Sequence, residues 1–467
     1  MKTITPNLTD AKLLGLVALG FAVFFVTNDL GILTVAIPTI GKEFNGNITT
    51  VQWLINGYTL VFGVLLISGG RLADIFGRRR AFFVGSAIFV FFSILCGLAI
   101  DIQMLLVSRA LMGIGGALIW PAILGMIYNL IPREHSGLAG GFIMAVSGVG
   151  LTIGPLIGGV ITDLASWRLT FFLNPIEAAI ACLLGWKFVA DDRPQGENRG
   201  INYAGVLTLS ISIFSLLLAL DLSVDIGFRH PLIVALMTLS FLFIGIFIIV
   251  EHKASDNALI PRDIAQNYRL FTASLATLMI SVVFFAPIFY IPQALNKIHG
   301  YSATLSGIGL LPMLIAFSIG SYLSGILYER LSPKVIVSLG VALICAGMFM
   351  LSDFNKDTDI FSLTPGLTLL GAGIGIFYST ITTIAITIVD PSRSSLSAGI
   401  LYMFQVAGGT LGLGINTTII AMSPDLLSGI VRAFTVNAYL AIAVFVVCLL
   451  FVSGEPSGLK NRHNRQF

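Results

Sequence analysis

The chain is a succession of long apolar runs broken by short polar connections. A membrane-spanning helix needs about 20 mainly apolar residues. Fourteen stretches meet that length, at 13–38, 51–69, 81–99, 102–130, 137–162, 169–189, 202–222, 231–250, 270–292, 304–328, 333–351, 363–389, 396–422 and 433–452. Runs such as Val234–Val250 show no alternation of apolar and polar residues, so they read as helices and not as barrel strands. The first run, from Leu13 to Ile40, is too long for the apolar segment of a signal peptide and lacks a small-residue cleavage pattern, so it reads as the first span. No connection is long enough to fold as a soluble domain; those at 190–201 and 251–269 are the longest on one side.

Composition makes the fold class firm: an all-α polytopic membrane protein. Of 467 residues, 56% are apolar and 10% charged, whereas a soluble domain carries about 25% Asp, Glu, Lys and Arg. That disfavours soluble enzymes and nucleic-acid binders, and a net charge of +3 adds no argument for nucleic acid. The cysteines, Cys96, Cys182, Cys345 and Cys448, stand alone inside apolar runs with no CxxC pair, and the histidines at 135, 230, 252, 299 and 463 have no metal-ligand spacing. No G-x-x-x-x-G-K-[ST] loop is present. The glycine clusters at 113–116 and 371–375 lie inside spans and read as close helix packing. No cofactor or metal is therefore expected, and uphill movement of a solute would draw on an ion gradient rather than ATP.

The basic residues carry the topology. An even number of spans puts both termini on one side, and that side collects nineteen Lys and Arg against six on the other, with Arg109 inside a span. The positive-inside rule then makes both termini cytoplasmic, in a multi-pass protein of the plasma (inner) membrane. A faint repeat sets Gly70-Arg71-Leu72-Ala73-Asp74 after span 2 against Gly325-Ile326-Leu327-Tyr328-Glu329 after span 10, and Leu111-Met112-Gly113 against Leu369-Leu370-Gly371. It divides the chain into a six-helix half (1–190), a two-helix insert with its loops (191–269), a second six-helix half (270–453) and a tail (454–467). Related halves around a midplane site are a common plan of secondary transporters.

Several strings carry chemistry. Gly70, Asp74, Gly77, Arg78 and Arg79 belong to the connection Gly70–Arg80, in which glycines permit a tight turn and Asp74 can meet an Arg or a helix N-terminus. Three consecutive arginines would also serve as a simple positive-inside anchor. In span 5, Gly150, Gly154, Pro155, Gly158 and Gly159 would let another backbone approach closely. Arg109 in span 4, Asp29 in span 1 and Glu177 in span 6 are costly inside a bilayer and point to function with a partner. The alternatives are snorkelling for Arg109, a structural pair for Asp29, and an interfacial or paired role for Glu177. At about 1.5 Å per residue, all three lie about 12–13 Å from one end of their spans, at similar depth. Trp120, deeper in span 4, could stack on a flat cation or face lipid. Gln405 and Asn416 are the polar residues of span 13 that could line a cavity; spans 9 to 14 have no acid in their interiors.

These strings resemble the major facilitator superfamily over nearly the whole chain. Gly70–Arg80 is similar to its signature G-x-L-a-D-r-x-G-r-[rk]. Gly150–Gly159 resembles its antiporter motif G-x-x-x-G-P-x-x-G-G, whose helix is thought to seal or bend the interface between halves. Leu105–Gly113 resembles the span-4 motif in which the arginine is implicated in proton coupling. Asp29–Pro38 resembles the first span of the fourteen-span drug:proton antiporters, with Gly31 and Thr34 departing from L-D-x-T-x-x-N-x-A-L-P. Trp167–Pro175 resembles the entry to span 6, shifted by one residue. The resemblance implies two six-helix halves flanking a two-helix insert, and no enzyme activity. It implies proton-coupled export of small amphipathic compounds, cationic ones among the candidates, by alternating access, with small-molecule substrates, protons and the bilayer as partners; any membrane-fusion partner is unknown. Asp29 would exchange protons, Arg109 would tune it, and Asp74 with Arg78 would hold one state of the cytoplasmic gate. A transporter of a defined metabolite such as an amino acid or siderophore, or a non-transporting sensor or scaffold, are the competing readings.

Overall fold

The computed structural model describes residues 10–45, 48–190, 200–254, 257–301, 303–355 and 358–451. The tail 454–467 and several of the basic residues counted above (Lys2, Arg193, Arg199, Lys356, Lys460, Arg462 and Arg465) lie outside the described residues. The first six long helices are α1 (Asp10–Glu43), α2 (Ile48–Phe76), α3 (Arg78–Gly97), α4 (Ile102–Leu130), α5 (Ser136–Leu164) and α6 (Arg168–Phe188). Then come α7 (Tyr203–Ile226), α8 (Pro231–Ala254) and the short α9 (Arg262–Ala265). The remainder are α10 (Tyr268–Lys297), a short α11 (Ala303–Ile308), α12 (Leu311–Leu327), α13 (Pro333–Leu351), α14 (Ile360–Thr387), α15 (Ser394–Ala421) and α16 (Leu426–Phe451). Among the described residues, fourteen helical segments are long and apolar enough to cross a membrane, and there is no strand.

Local chemistry explains several of the boundaries. Asp101 caps α4 by accepting from the Met104 amide at 2.7 Å, Asn202 caps α7 from Gly205, and Asn267 caps α10 from Leu270. Pro333 opens α13, where its missing N–H is not needed. Two expectations change. The stretch 304–328 is not one helix: Pro312 cannot donate to the carbonyl four residues back, and the chain breaks between α11 and α12. Gly70–Arg80 is not a loop either. Residues through Phe76 are helical, α3 starts at Arg78, and Gly77 alone makes the turn with φ 101°, a conformation that suits glycine.

The helices pair in two matching sets. In the first, α2 and α3 pack on α4, α1 packs on α5 and α6, and α3 on α6; in the second, α12 and α13 pack on α14, α10 packs on α15 and α16, and α13 on α16. The repeat noted in the sequence occupies equivalent places. A Cβ on Gly113 would lie 2.7 Å from the Tyr58 carbonyl of α2, and one on Gly371 would lie 2.0 Å from the Met313 carbonyl of α12. Small residues thus do in both sets what a hydrophobic driving force cannot do in lipid, which is to let helix backbones touch. The helices α7 and α8 pack on each other, and α7 also lies against α2 and α15.

The two sets meet along α2–α15 and α5–α12. A Cβ on Gly70 would lie 2.3 Å from the Ser395 carbonyl, and one on Gly399 2.3 Å from that of Leu66. On the other seam, Gly137 faces Tyr328 and Gly325, and Gly141 faces Ser321. Tyr128 and Thr383 share a hydrogen bond of 2.9 Å between α4 and α14. All these contacts lie toward the arginine-rich end of the bundle. Toward the other end, α5 turns its glycines to α1, and α2 donates from Asn56 to Asp221 of α7 at 2.8 Å.

Substitution of Gly371 by Val should lower the melting temperature of the detergent-solubilised protein, by an overpacking cost of about 1–3 kcal/mol. Gly245→Ala, in α8 with nothing within 4 Å of a new Cβ, should leave it unchanged or raise it slightly. Equal behaviour of the two variants in a thermal melt would contradict this account of the α12–α14 contact.

Candidate functional site

The three charged residues expected at one depth converge inside the first helix set. Arg109 is fully buried, and its Nη1 donates to Asp29 Oδ2 at 2.7 Å. Its Nε donates to the Leu54 carbonyl at 3.3 Å, and its guanidinium carbon stands 4.3 Å from the centre of the Tyr58 ring, a cation–π contact that supplies negative potential where no water does. Snorkelling is therefore not what Arg109 does here. The second oxygen of Asp29 accepts from Asn174 Nδ2 at 2.7 Å, and the same amide reaches Ser93 Oγ at 3.0 Å. Ser93 in turn donates to the Phe171 carbonyl. Five helices, α1, α2, α3, α4 and α6, thus hold one ion pair.

Glu177 does not touch that pair. It is 6% exposed, and its Oε1 accepts from Asn28 Nδ2 at 2.9 Å, so it is joined to Asp29 through the neighbouring residue of α1. Around the two carboxylates, Asn28 Oδ1, Asn174 Oδ1, Glu177 Oε2, Arg109 Nη2 and the Tyr58 hydroxyl are buried without hydrogen-bond partners. Unmatched buried polar atoms are expensive. Their concentration at one place marks a site with capacity for protons or a polar ligand. Asn174 and Asn28 are the members that sequence reasoning passed over; the signal available was an amide inside an apolar span.

The span-5 glycines build this site rather than the seam between halves. A Cβ on Gly150 would lie 2.2 Å from Thr27 Oγ1, one on Gly154 2.8 Å from the Asn28 carbonyl, and one on Gly158 2.6 Å from that of Ile32. Pro155 abuts Gly31, while Gly159 makes only an ordinary contact with Val35. The motif thus fixes the stretch of α1 that carries Asn28 and Asp29. The part of α5 that meets the other half is the glycine run nearer its start, at 137, 141 and 148.

At the arginine-rich end, Asp74 and Arg78 are nearly inaccessible and joined at 2.9 Å. Asp74 also accepts from the Ser395 and Leu396 amides, at 3.2 and 2.8 Å, which are the first free N–H groups of α15. Arg78 donates to Ser395 Oγ at 2.9 Å and to the Pro391 carbonyl. Just before α15, Asp390 accepts from the Ser392 amide and hydroxyl, which hold its carboxyl below the usual carboxylate range. The matching acid of the repeat, Glu329, meets His135 at 2.6 Å across the other seam. Arg79 points away and donates to the Trp186 carbonyl at the end of α6.

The remaining cavity candidates part ways. Trp120 is buried rather than exposed on the outer surface of the bundle, and its ring stands edge-on to Tyr402 of α15 at 5.3 Å. Gln405 is half-buried on α15. Asn416 has no face toward a cavity, because it is fully buried, donates to the Gly412 carbonyl and accepts from Asn437 of α16 at 2.6 Å.

Comparison with known proteins agrees with this architecture. The family model of the Major Facilitator Superfamily matches residues 19–413 and 273–466. The chain is 32% identical to the puromycin resistance protein pur8 of Streptomyces alboniger, over 87% of this chain and 81% of that one. It is 28% identical to the multidrug resistance protein Stp of Mycobacterium tuberculosis, over 88% and 76%. The crystal structure of the human organic anion transporter MFSD10 (TETRAN) superposes with a TM-score of 0.70 at 11% identity, over 95% of this chain and all of that one.

Two outcomes test the geometry. Asp29→Asn and Arg109→Gln should each destabilise the purified protein by about 3–5 kcal/mol, with the double variant recovering part of the loss; additive losses in thermal melts would deny the pair. Asp74→Asn should lengthen the distance between spin labels on Arg80→Cys and Ser392→Cys, measured by pulsed electron resonance. An unaltered distance distribution would mean that Asp74 does not hold the seam.

Proposed function

The chain belongs to the major facilitator superfamily, and we propose that it exports small amphipathic compounds, cations among them, in exchange for protons. It is a multi-pass membrane transporter of the multidrug-efflux kind, as its resistance-protein relatives support. The single observation that carries proton coupling is the Asp29–Arg109 pair, a carboxylate held at 2.7 Å from a fully buried guanidinium and ringed by unpartnered polar atoms.

The arginine-rich end is the cytoplasmic one, with both termini there, in the plasma membrane. The seal of α2–α15 and α5–α12 then closes the cytoplasmic side, and the halves 1–190 and 270–453 rock about it with 191–269 as an insert. In this state Asp29 is bound to Arg109 and screened from water. Loading a proton needs α1 and α6 to part enough for water to reach it. A proton on Asp29 removes half of the pair and leaves Arg109 to seek another acceptor, which shifts α4 against α1. Glu177 offers a cationic substrate a carboxyl oxygen that has no partner in this state. Opening of the cytoplasmic seam breaks the Asp74 contacts to α15 and admits the compound.

A defined metabolite such as an amino acid or siderophore is the rival cargo on the same scaffold. No observation of this structure favours it, since a zwitterion site would need paired charges facing a cavity between the halves.

Everted membrane vesicles discriminate. An imposed gradient, acid inside, should drive uptake of a fluorescent cationic dye, and nigericin should collapse it. Asp29→Asn should fall to the level of vesicles lacking the protein, while Glu177→Gln should lose cationic dyes more than neutral ones. Dye uptake by wild type that ignores the gradient would sink the coupling assignment.

A further inference from the structure

A cavity lies far from the ion pair, at the arginine-rich end, between α8 and the α10–α15 pair and beneath the connection that contains α9. It measures about 470 Å³, within the range of sites that hold a small organic molecule. Its walls are apolar, formed chiefly by Phe247, Ile260, Phe271 and Phe404, and its mouth carries His252 and Arg262. The connection is pinned over it from three directions. Glu251 accepts from Asn202 at 2.7 Å and from the Leu259 and Ile260 amides, Arg71 of α2 donates to the Ala258 carbonyl at 3.2 Å, and Asp263 pairs with Arg393.

Charge and hydrogen bonding choose the occupant. Among the described residues of 251–269, both acids are engaged in the contacts just given, whereas Lys253, Arg262 and Arg269 are exposed. Arg262 leans on His252 Nδ1 at 3.0 Å, which places its guanidinium at the mouth. Deeper in, Ser274 lines the cavity, is fully buried, and its hydroxyl has no hydrogen-bond partner. It lies six residues into α10, about 9 Å inward from the start of that helix. The ligand that fits is anionic at the mouth, offers an ester-type acceptor below it, and is a hydrocarbon chain beyond that.

We propose that this cavity binds an anionic phospholipid of the adjacent leaflet, with its phosphate at Arg262 and His252, an ester oxygen accepting from Ser274, and one acyl chain among the phenylalanines. Basic pockets between membrane helices on the cytoplasmic side are suited to such headgroups. A cationic cargo would meet repulsion at the same mouth, so the site is distinct from the proposed transport site, and its occupancy does not depend on proton coupling.

Native mass spectrometry of the full-length protein in detergent, with phosphatidylglycerol and phosphatidylcholine supplied in equal amounts, tests this. Wild type should retain phosphatidylglycerol in preference, and Arg262→Gln should cut that preference about fivefold, as loss of one basic contact near a membrane surface does. Ser274→Leu, which fills the cavity, should reduce retention of both lipids, and Asp29→Asn should retain phosphatidylglycerol as wild type does. Equal retention of the two lipids by wild type would overturn the proposal. So would indifference to both Arg262→Gln and Ser274→Leu, or displacement of phosphatidylglycerol by inorganic phosphate or by a cationic dye. Absence of gradient-driven dye transport by the wild type, with its lipid retention intact, would count against the transport reading alone.

Discussion

A guanidinium fully enclosed among helices that themselves stand in hydrocarbon has to find its counter-charge where it is, because neither water nor lipid will supply one. Isolating such an ion costs several kcal/mol even after relaxation, and one good partner with further hydrogen bonds is needed to offset it. Arg109 receives Asp29, the Leu54 carbonyl and the face of Tyr58, and Asp29 receives Asn174. Those groups come from α1, α2, α4 and α6, so the arrangement of the first helix set answers to one ion pair. The glycine run of α5 belongs to the same solution: Gly150, Gly154 and Gly158 seat the stretch of α1 that must present Asp29.

The second helix set repeats the packing without the charge. Its buried polar contacts are between hydroxyls, as in Ser281–Tyr378 at 2.7 Å, Tyr290–Thr417 at 2.5 Å and Ser324–Thr380 at 2.7 Å, or between amides, as in Asn416–Asn437. A hydroxyl or an amide does not change charge near neutral pH. Among the described residues of the two sets, the buried carboxylates of the membrane-embedded interior therefore lie in the first, while α7 adds Asp221, held by Asn56 of α2. The halves are alike in backbone and unlike in chemistry, and the weak sequence repeat reflects this: glycines and terminal acids recur while the charged core residues do not.

How much of this was legible in the sequence depended on the kind of constraint. Span number and order were plain because hydrocarbon demands long apolar runs, and Asp29 and Arg109 stood out because charges in such runs are rare. Their equal depth followed from helical rise alone. Three things were hidden. Asn174 and Asn28 are uncharged and raise no alarm in a polar-tolerant span. The partner of the span-5 glycines could not be read, because small residues show that a backbone comes close but not which one. Asn416 was assigned to a cavity on polarity, whereas an amide can equally be consumed by a neighbouring helix. The helicity of Gly70–Phe76 was missed for a different reason: the polar residues that end an apolar run do not end the helix, and only Gly77 does.

The connection between the ion pair and the distant seam is a matter of shared helices. The helix α2 carries Leu54 and Tyr58 against Arg109 and, sixteen residues from Tyr58, Asp74 against the start of α15, a separation of about 24 Å along one helix. The helix α5 carries Gly150–Gly158 against α1 and Gly137–Gly148 against α12. Close-packed helices transmit displacement because small voids are costly at every contact. In the proposed cycle, loss of charge on Asp29 relaxes the hold of α1 and α4 on the outer portions of α2 and α5. The inner portions of those same two helices form the seam, and their contacts with α15 and α12 are made by backbone and charge, with little slack. A tilt of either helix at the ion pair must therefore appear at the seam, which is how a proton at one end of the bundle can open a door at the other.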